Sequence, residues 1–522
     1  MRCIHALLIV VALWAALYLP GLGAIELKGE EGRRVLPAVT MIETRDWIVP
    51  FIGGEPYLRK PPLIHWVVAA AFRITGHRDE WAARIPSALS VLLLAATLII
   101  VGGKWLSPST ALVGAICATT NLAMLEKGRL CELEALYTAM TGIAIICWVT
   151  WWREERSKWL IWTAPFISLA FGLLTKGPLH LLFFYAVVVA ILHKGKRLRD
   201  LWTLPHLVGV LLMLGIAALW AVPYLQRATQ LNVGNVWTQE FAGRVTHSQI
   251  SLELWLENLW NNFRNFLPWL LFAPLWWNRK VVASLRERDA AIFAGLRFAV
   301  VLCGCGLILI PGFLSRYTIP LVVPASMLIA LALRSPELLP SRVLSIWRIG
   351  LIILCAAAVI SALALPWLLG LQAAGAAVCV ILSGVALLAL LRRRFTHPLP
   401  LAVGTACAIA LGSIVFVTAQ IPRVIAAERS RPIGKRINAA LPGVHELYVI
   451  NSGFQPAHFY LQQKLIYLRS PRDLPPQQLF VLLPSSANTK LATFGRASRL
   501  LDQFKDAGDR EFLLIELSAA PG

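Results

Sequence analysis

The sequence predicts an all-α polytopic membrane protein of about thirteen transmembrane helices, followed by a small C-terminal α/β domain. Three observations predict this class. Hydrophobic residues make up 57% of the 522 residues and charged residues 15%, against roughly 25% charged in soluble domains. Apolar runs of about 15 to 22 residues, near the length that crosses a hydrocarbon layer of about 30 Å, recur from the N-terminus to about residue 420. Beyond that point the composition turns polar, and helix-like runs at 433–440 and 497–504 alternate with strand-like runs at 446–451, 479–483 and 511–517. A soluble enzyme, a disordered chain and a secreted disulfide scaffold are excluded.

The spans fall near 4–22, 82–102, 110–124, 136–152, 159–174, 179–193, 203–224, 266–277, 290–311, 318–333, 349–369, 372–391 and 399–419. The first exceeds the usual signal-peptide core and reads as an uncleaved anchor. Every second loop is basic: Lys104; Arg153, Arg156 and Lys158; Lys194, Lys196, Arg197 and Arg199; Arg279, Lys280, Arg286 and Arg288; Arg334, Arg342 and Arg348; Arg392 to Arg394. Positive charge collects on the cytoplasmic side, so these loops face inward and the C-terminal tail is extracytoplasmic. The same bias accounts for most of the net charge of +21. Since no basic helix carries interleaved aromatics, nucleic acid is not a partner. Eight of the nine cysteines lie in apolar runs and the tail has none, so no structural disulfide is expected; Cys131 alone falls near an aqueous face.

The chemistry collects in the outer loops. The first, about residues 24–81, is far too long for a connector; 33–44 and 63–75 read as interfacial helices within it. It holds Glu30, Glu31, Arg33 and Arg34, then Asp46-Trp47, then Tyr57-Leu58-Arg59-Lys60-Pro61-Pro62-Leu63. Consecutive prolines remove two amide donors and keep the preceding residue extended, which fixes the direction of Lys60 as a cation facing a phosphate requires. The same segment also serves as a helix start. The next outer loop holds Lys127, Arg129, Glu132 and Glu134, and a third is Thr175-Lys176-Gly177-Pro178. Charges at a bilayer boundary are costly, so they are paired or functional. A longer loop carries Glu240, Arg244, His247 and Arg264 before Leu267-Pro268-Trp269, and a short one carries Arg316-Tyr317 ahead of Pro320. No phosphate-cradling glycine loop, Cys/His zinc pattern or nucleophile elbow is present.

In this order the motifs resemble the GT-C superfamily of integral-membrane glycosyltransferases, in the protein O-mannosyltransferase and aminoarabinose (lipid A) transferase group. The likeness rests on Glu30-Glu31-Gly32-Arg33, Asp46-Trp47, Lys60 to Leu63, Arg129 to Glu134, Thr175 to Pro178, Leu267 to Trp269 and Arg316-Tyr317-x-x-Pro320. It covers residues 1 to about 335 well and the rest loosely. It implies a transmembrane transferase domain over 1–420 and an extracytoplasmic α/β domain over 421–522 that shapes acceptor access.

The resemblance further implies inverting transfer of a sugar from a polyprenyl-phosphate donor to a lipid A-like lipid, a glycan or a protein, at the outer face of a bacterial inner membrane. Glu30 would be the catalytic base and Glu134 the second acidic residue. Lys60, Arg33 and Tyr57 would contact the donor phosphate, with Glu31, Lys176 and Tyr317 as further substrate contacts. Both acidic positions are Glu where the family favours Asp, one methylene longer. Arg59 stands where lipid A transferases often carry Glu, which removes a carboxylate from any cation site. No metal ligand is assigned, and a divalent metal would be optional rather than essential. The alternatives from other classes are a lipid-linked sugar flippase and an inactive scaffold of the same fold. A flippase needs a polar path, whereas ionisable residues are nearly absent from the span centres.

Overall fold

The computed structural model describes residues 1–228, 252–310, 313–369, 373–392, 397–450, 455–487, 496–506 and 509–520. Glu240, Arg244, His247, Arg393 and Arg394 lie outside them. The chain divides into two compact units. One comprises Met1–Leu22, Arg59–Ile64 and Arg84–Ile421; the other comprises Gly23–Leu58, His65–Ala83 and Pro422–Gly522. Most of the first outer loop thus groups with the C-terminal tail, while the Lys-Pro-Pro segment stays with the helical bundle.

In the bundle, the described helices that are long and apolar enough to cross a membrane are Glu80–Leu106, Leu133–Arg153, Lys158–Lys176, Leu204–Arg227, Glu287–Ile308, Arg342–Leu368, Ala374–Leu391 and Pro398–Ala426. Shorter apolar helices at Cys3–Tyr18, Leu179–Lys194 and Ile319–Ala332 occupy three more of the expected spans. The run near 110–124 forms a helix at Pro108–Thr120, started by Ser107, whose side chain accepts from the Thr110 amide. The run near 266–277 is a 3₁₀ helix, Trp269–Trp277, with Pro274 inside it. Pro274 has no amide hydrogen to donate, so a regular α ladder cannot run unbroken through this segment.

Without a hydrophobic drive between helices in lipid, close packing and cross-helix hydrogen bonds hold a bundle together. Both occur here. A Cβ at Gly142 would lie 2.6 Å from Leu94 and from Val323, so this helix crosses its neighbours at glycine distance. Tyr18 donates to the Thr119 carbonyl at 2.7 Å, Trp14 to Ala88 at 2.7 Å, and Trp269 to the Thr120 hydroxyl at 2.9 Å. Arg129, read from the sequence as part of an outer-face cluster, donates to the Leu17 and Pro20 carbonyls at 2.7 and 2.5 Å and so closes the first helix. Cys131, expected near an aqueous face, is fully buried, because the whole bend that carries it is buried, Leu130, Glu132 and Leu133 included.

Charges segregate to the two ends of the bundle. The helix Leu133–Arg153 has 21 residues, so its termini are ~30 Å apart at about 1.5 Å per residue. At the Arg153 end, Arg153 and Arg334 both bind the buried Asp289 carboxylate, at 2.5 and 3.4 Å. Arg288 pairs there with Glu155, and Lys158 with Asp200. Four of the basic loops read from the sequence as lying on one side therefore do gather at one end.

The second unit contains the helix Gly32–Thr44, the strands β1 (Phe51–Ile52) and β2 (Glu55–Pro56), most of the helix Leu63–Thr75, and a tail sheet. Gly53 and Gly54 turn the β1–β2 hairpin with φ of 60° and 80°, the left-handed region that favours glycine. The tail sheet has the strands β3 (Glu446–Ile450), β4 (Lys464–Leu468), β5 (Leu479–Pro484), β6 (Ser498–Lys505) and β7 (Glu511–Leu517), in the order β4-β3-β5-β7-β6. The β4-β3-β5 half is parallel and the β5-β7-β6 half antiparallel. Ile433 and Ile437 of the helix Ser430–Ala440 cover one face. The expected helix over 497–504 is instead β6, since seven of its residues pair with β7 and that ladder outweighs local helix propensity.

A polar latch within this unit ties loop to tail. The Arg431 guanidinium binds Glu80 at 2.6 Å, Glu428 at 3.0 Å and the Ala24 carbonyl at 3.2 Å. Tyr460 donates to Glu80 at 2.8 Å and accepts the Leu27 amide at 2.8 Å. Burial works against the Arg431 charge, but Glu80 and Glu428 outweigh it and hold the guanidinium above its usual pKa. Removing one partner of a buried pair costs about 3–5 kcal/mol, because the other charge stays buried and uncompensated. Arg431→Ala is therefore expected to lower the thermal midpoint by several degrees, and Arg431→Ala with Glu80→Gln to recover most of the loss. Differential scanning fluorimetry of the purified variants measures both.

Candidate functional site

The residues singled out by the sequence fall into two clusters, one in each unit. In the loop–tail unit, Glu30 and Glu31 immediately precede the helix Gly32–Thr44. Helical spacing brings Arg33 and Arg34 back to Glu30 at three and four residues, with contacts of 2.8 and 3.2 Å. Glu30 stays 32% exposed at its side chain, whereas Glu31 is fully buried and accepts the Lys28 amide at 3.0 Å. Of the two, Glu30 is the carboxylate that solvent can reach.

Arg34, absent from the residues assigned roles by sequence, organises this cluster. Its guanidinium donates to the Tyr57 hydroxyl at 2.6 Å, so Tyr57 is held against Glu30 through a shared arginine. The Arg34 carbonyl contacts His65 Nδ1 at 2.9 Å, and the His65 ring meets Tyr57 edge-on at 5.9 Å. Burial pushes the imidazole down to about 3, which keeps it neutral. A carbonyl only accepts, so the proton sits on Nδ1 and Nε2 carries a lone pair. The four-residue interval between Glu30 and Arg34 was visible in the sequence; nothing in the sequence marked His65.

In the bundle, Glu134 opens the helix Leu133–Arg153 and Lys176 ends the helix Lys158–Lys176. Their side chains pair at 2.9 Å and are only 4% and 11% exposed. Arg316 approaches the same carboxylate at 3.9 Å, and the Lys176 ammonium lies over the Tyr137 and Tyr317 rings at 5.6 and 5.3 Å. Lys127 bridges Glu126 and Glu132, each at 3.0 Å. Burial opposes the Lys127 charge, but both carboxylates overcome it and raise its pKa. Lys60 lies in the bundle's Arg59–Ile64 segment, partly buried, three residues before Leu63, which begins a helix. Sequence reading placed Glu134, Lys176 and Tyr317 in separate loops; the fold brings them together with Arg316. Among the described residues, no three His, Cys, Asp or Glu side chains gather in a way that could hold a metal ion.

Residues 59–221 match the family described as dolichyl-phosphate-mannose-protein mannosyltransferase. Over 98% of this chain and 98% of the other, the structure superposes with a TM-score of 0.72 and 20% identity on the crystal structure of ArnT from Cupriavidus metallidurans bound to undecaprenyl phosphate. The chain has the GT-C fold. The apo form of that ArnT superposes with a TM-score of 0.69 over 97% of each chain. The undecaprenyl phosphate-alpha-4-amino-4-deoxy-L-arabinose arabinosyl transferase of Pectobacterium carotovorum is 25% identical over 335 residues, covering 62% of this chain and 58% of that protein. The corresponding protein of Yersinia enterocolitica is 26% identical over 305 residues, covering 56% and 52%. The chain thus spans between half and three-fifths of the length of these two curated relatives, and 36% of an uncharacterized Aquifex aeolicus protein to which it is 22% identical.

Proposed function

We propose that this GT-C chain is an inverting glycosyltransferase that moves a sugar from a polyprenyl-phosphate donor onto a lipid A-like lipid, a glycan or a protein, outside a bacterial inner membrane. The observation that carries the proposal is the buried Glu134–Lys176 pair with Arg316 and Tyr317 at one end of the bundle, in a fold shared with a chain crystallised with undecaprenyl phosphate. Such a site gathers cations and aromatic rings at a membrane boundary, where an anionic lipid headgroup would lie.

The chemistry needs few parts. A lipid phosphate is already a good leaving group, so the protein has to stabilise the charge that develops on it and deprotonate the acceptor. Lys60, Arg33 and Tyr57 take the first task, fixed cations and a donor hydroxyl that need not reorganise as the bond breaks. Glu30 takes the second, as the base that removes the acceptor proton while the acceptor oxygen displaces the phosphate at the anomeric carbon. Glu31 and Glu134 shape the surrounding charge, with Lys176 and Tyr317 as further substrate contacts. No step requires a metal.

Lys60→Ala is expected to weaken donor binding and slow transfer together, since a cation facing the departing phosphate stabilises the bound donor and, more strongly, the transition state. Lys60→Arg should rescue only partly, a planar fork being a poor replacement for a point charge. Wild-type activity should survive EDTA. Donor affinity and turnover of purified protein in nanodiscs check all three, and unchanged constants in Lys60→Ala would remove the phosphate role.

The orientation follows from the charge bias of the loops. A reporter fused after residue 420 is expected to be extracytoplasmic and one fused at residue 196 cytoplasmic. The reverse pattern would place every residue named above on the wrong side for an outer-face transferase.

A further inference from the structure

The helix Leu252–Asn265 turns three asparagines, Asn258, Asn262 and Asn265, inward and an apolar stripe outward. Leu252, Leu256, Trp260 and Phe263, spaced along one stripe, are 68%, 49%, 60% and 43% exposed, whereas Asn258 and Asn265 are buried. Its inward residues fall at 255, 258, 262 and 265, one helical face. Trp255 donates to the carbonyl of Ile308 at 3.0 Å, which seats the helix at the last residue of the apolar helix Glu287–Ile308. The outward stripe therefore lies at the end of a membrane-crossing segment, where acyl chains can cover it.

The inward asparagines all reach the short turn Ser315–Thr318. The Ser315 amide donates to Asn258 Oδ1 at 3.2 Å, and Asn265 Nδ2 donates to the Ser315 carbonyl at 3.4 Å. The Thr318 hydroxyl bonds Asn262 Oδ1. Asn258 Nδ2 is bound by the Leu254 carbonyl at 2.9 Å, which leaves Oδ1 to face the Ser315 amide. Ser315–Tyr317 is a single 3₁₀ turn of three residues, too short to fix its own conformation against chain entropy. The two residues inside the turn are Arg316, 3.9 Å from Glu134, and Tyr317, whose ring lies 5.3 Å from the Lys176 ammonium.

We infer that Asn258, Asn262 and Asn265 are positioning residues that hold Arg316 and Tyr317 in the donor site, from a helix anchored at the membrane boundary. The inference rests on the reading of Tyr317 as a donor contact. None of the three touches the donor; each acts through the turn. A short amide suits the task because it supplies the acceptors for the Ser315 amide and the Thr318 hydroxyl and the donor for the Ser315 carbonyl.

The test uses the full-length protein in nanodiscs, with polyprenyl phosphate as the binding probe and a nitroxide attached at Leu314→Cys to report motion of the turn. Asn258→Ala and Asn262→Ala are expected to raise label mobility and to weaken polyprenyl-phosphate affinity about tenfold, with thermal midpoints near wild type. Asn258→Asp keeps the acceptor and should bind within about twofold of wild type, and exposed Glu257→Gln should change nothing. In a Tyr317→Ala background, Asn262→Ala should weaken binding little further. Unchanged affinity and mobility in both alanine variants, or a full additional loss in the Tyr317→Ala background, would overturn the positioning role. Raised mobility in a protein whose wild type binds no polyprenyl phosphate would overturn the donor reading, and the positioning role with it.

Discussion

Glu30→Gln is expected to lower the turnover of sugar transfer by ~10² to 10⁴, the usual contribution of a positioned general base, while expression and donor affinity stay near wild type. A base acts on the acceptor and adds little to holding a prenyl phosphate. The structure sharpens the comparison with its neighbour. Glu30 is partly exposed and paired with Arg33 and Arg34, whereas Glu31 is fully buried and bound to the Lys28 amide. Glu31→Gln should therefore be the milder change in turnover. Single-turnover kinetics with saturating donor separate the two variants, and wild-type turnover in Glu30→Gln would move the base assignment to Glu134.

The second large effect concerns the buried pair. Glu134→Ala leaves the Lys176 ammonium, 11% exposed, without its carboxylate, at a cost of about 3–5 kcal/mol. The thermal midpoint should fall and the yield of folded protein with it. Replacing both partners by apolar residues of similar size, Glu134→Leu with Lys176→Met, is often neutral for stability, because no buried charge remains. That double variant is expected to regain the wild-type midpoint and to stay inactive. Regained activity would make the pair a structural ion bridge alone.

Much of this protein is legible in its sequence because the bilayer allows few solutions. A buried helix must satisfy its own backbone, so apolar runs between basic loops locate the helices, and proline marks the places where α winding gives way, as at Trp269–Trp277. The charged residues proposed for the site stand out in the sequence too, since a charge beside an apolar run needs a reason to be there. Contacts between distant segments were not legible. Nothing local announces that Arg431 meets Glu80, that His65 meets the Arg34 carbonyl, or that Asn262 meets Thr318. Nor does the run at 498–505 look like a strand until β7 lies beside it. Arg129 shows the converse, a residue flagged for its charge that spends it on the carbonyl ends of the first helix.

The central claim is that the chain transfers a sugar from a polyprenyl phosphate. Mass spectrometry of envelope lipids and glycans, compared between cells with the gene, without it, and with the Glu30→Gln form, tests it most directly. The account predicts that loss of the gene removes one glycosyl mass increment from an acceptor species and lets the matching polyprenyl-phosphate sugar accumulate. The Glu30→Gln strain should reproduce both changes. Identical acceptor and donor profiles in the three strains would contradict it.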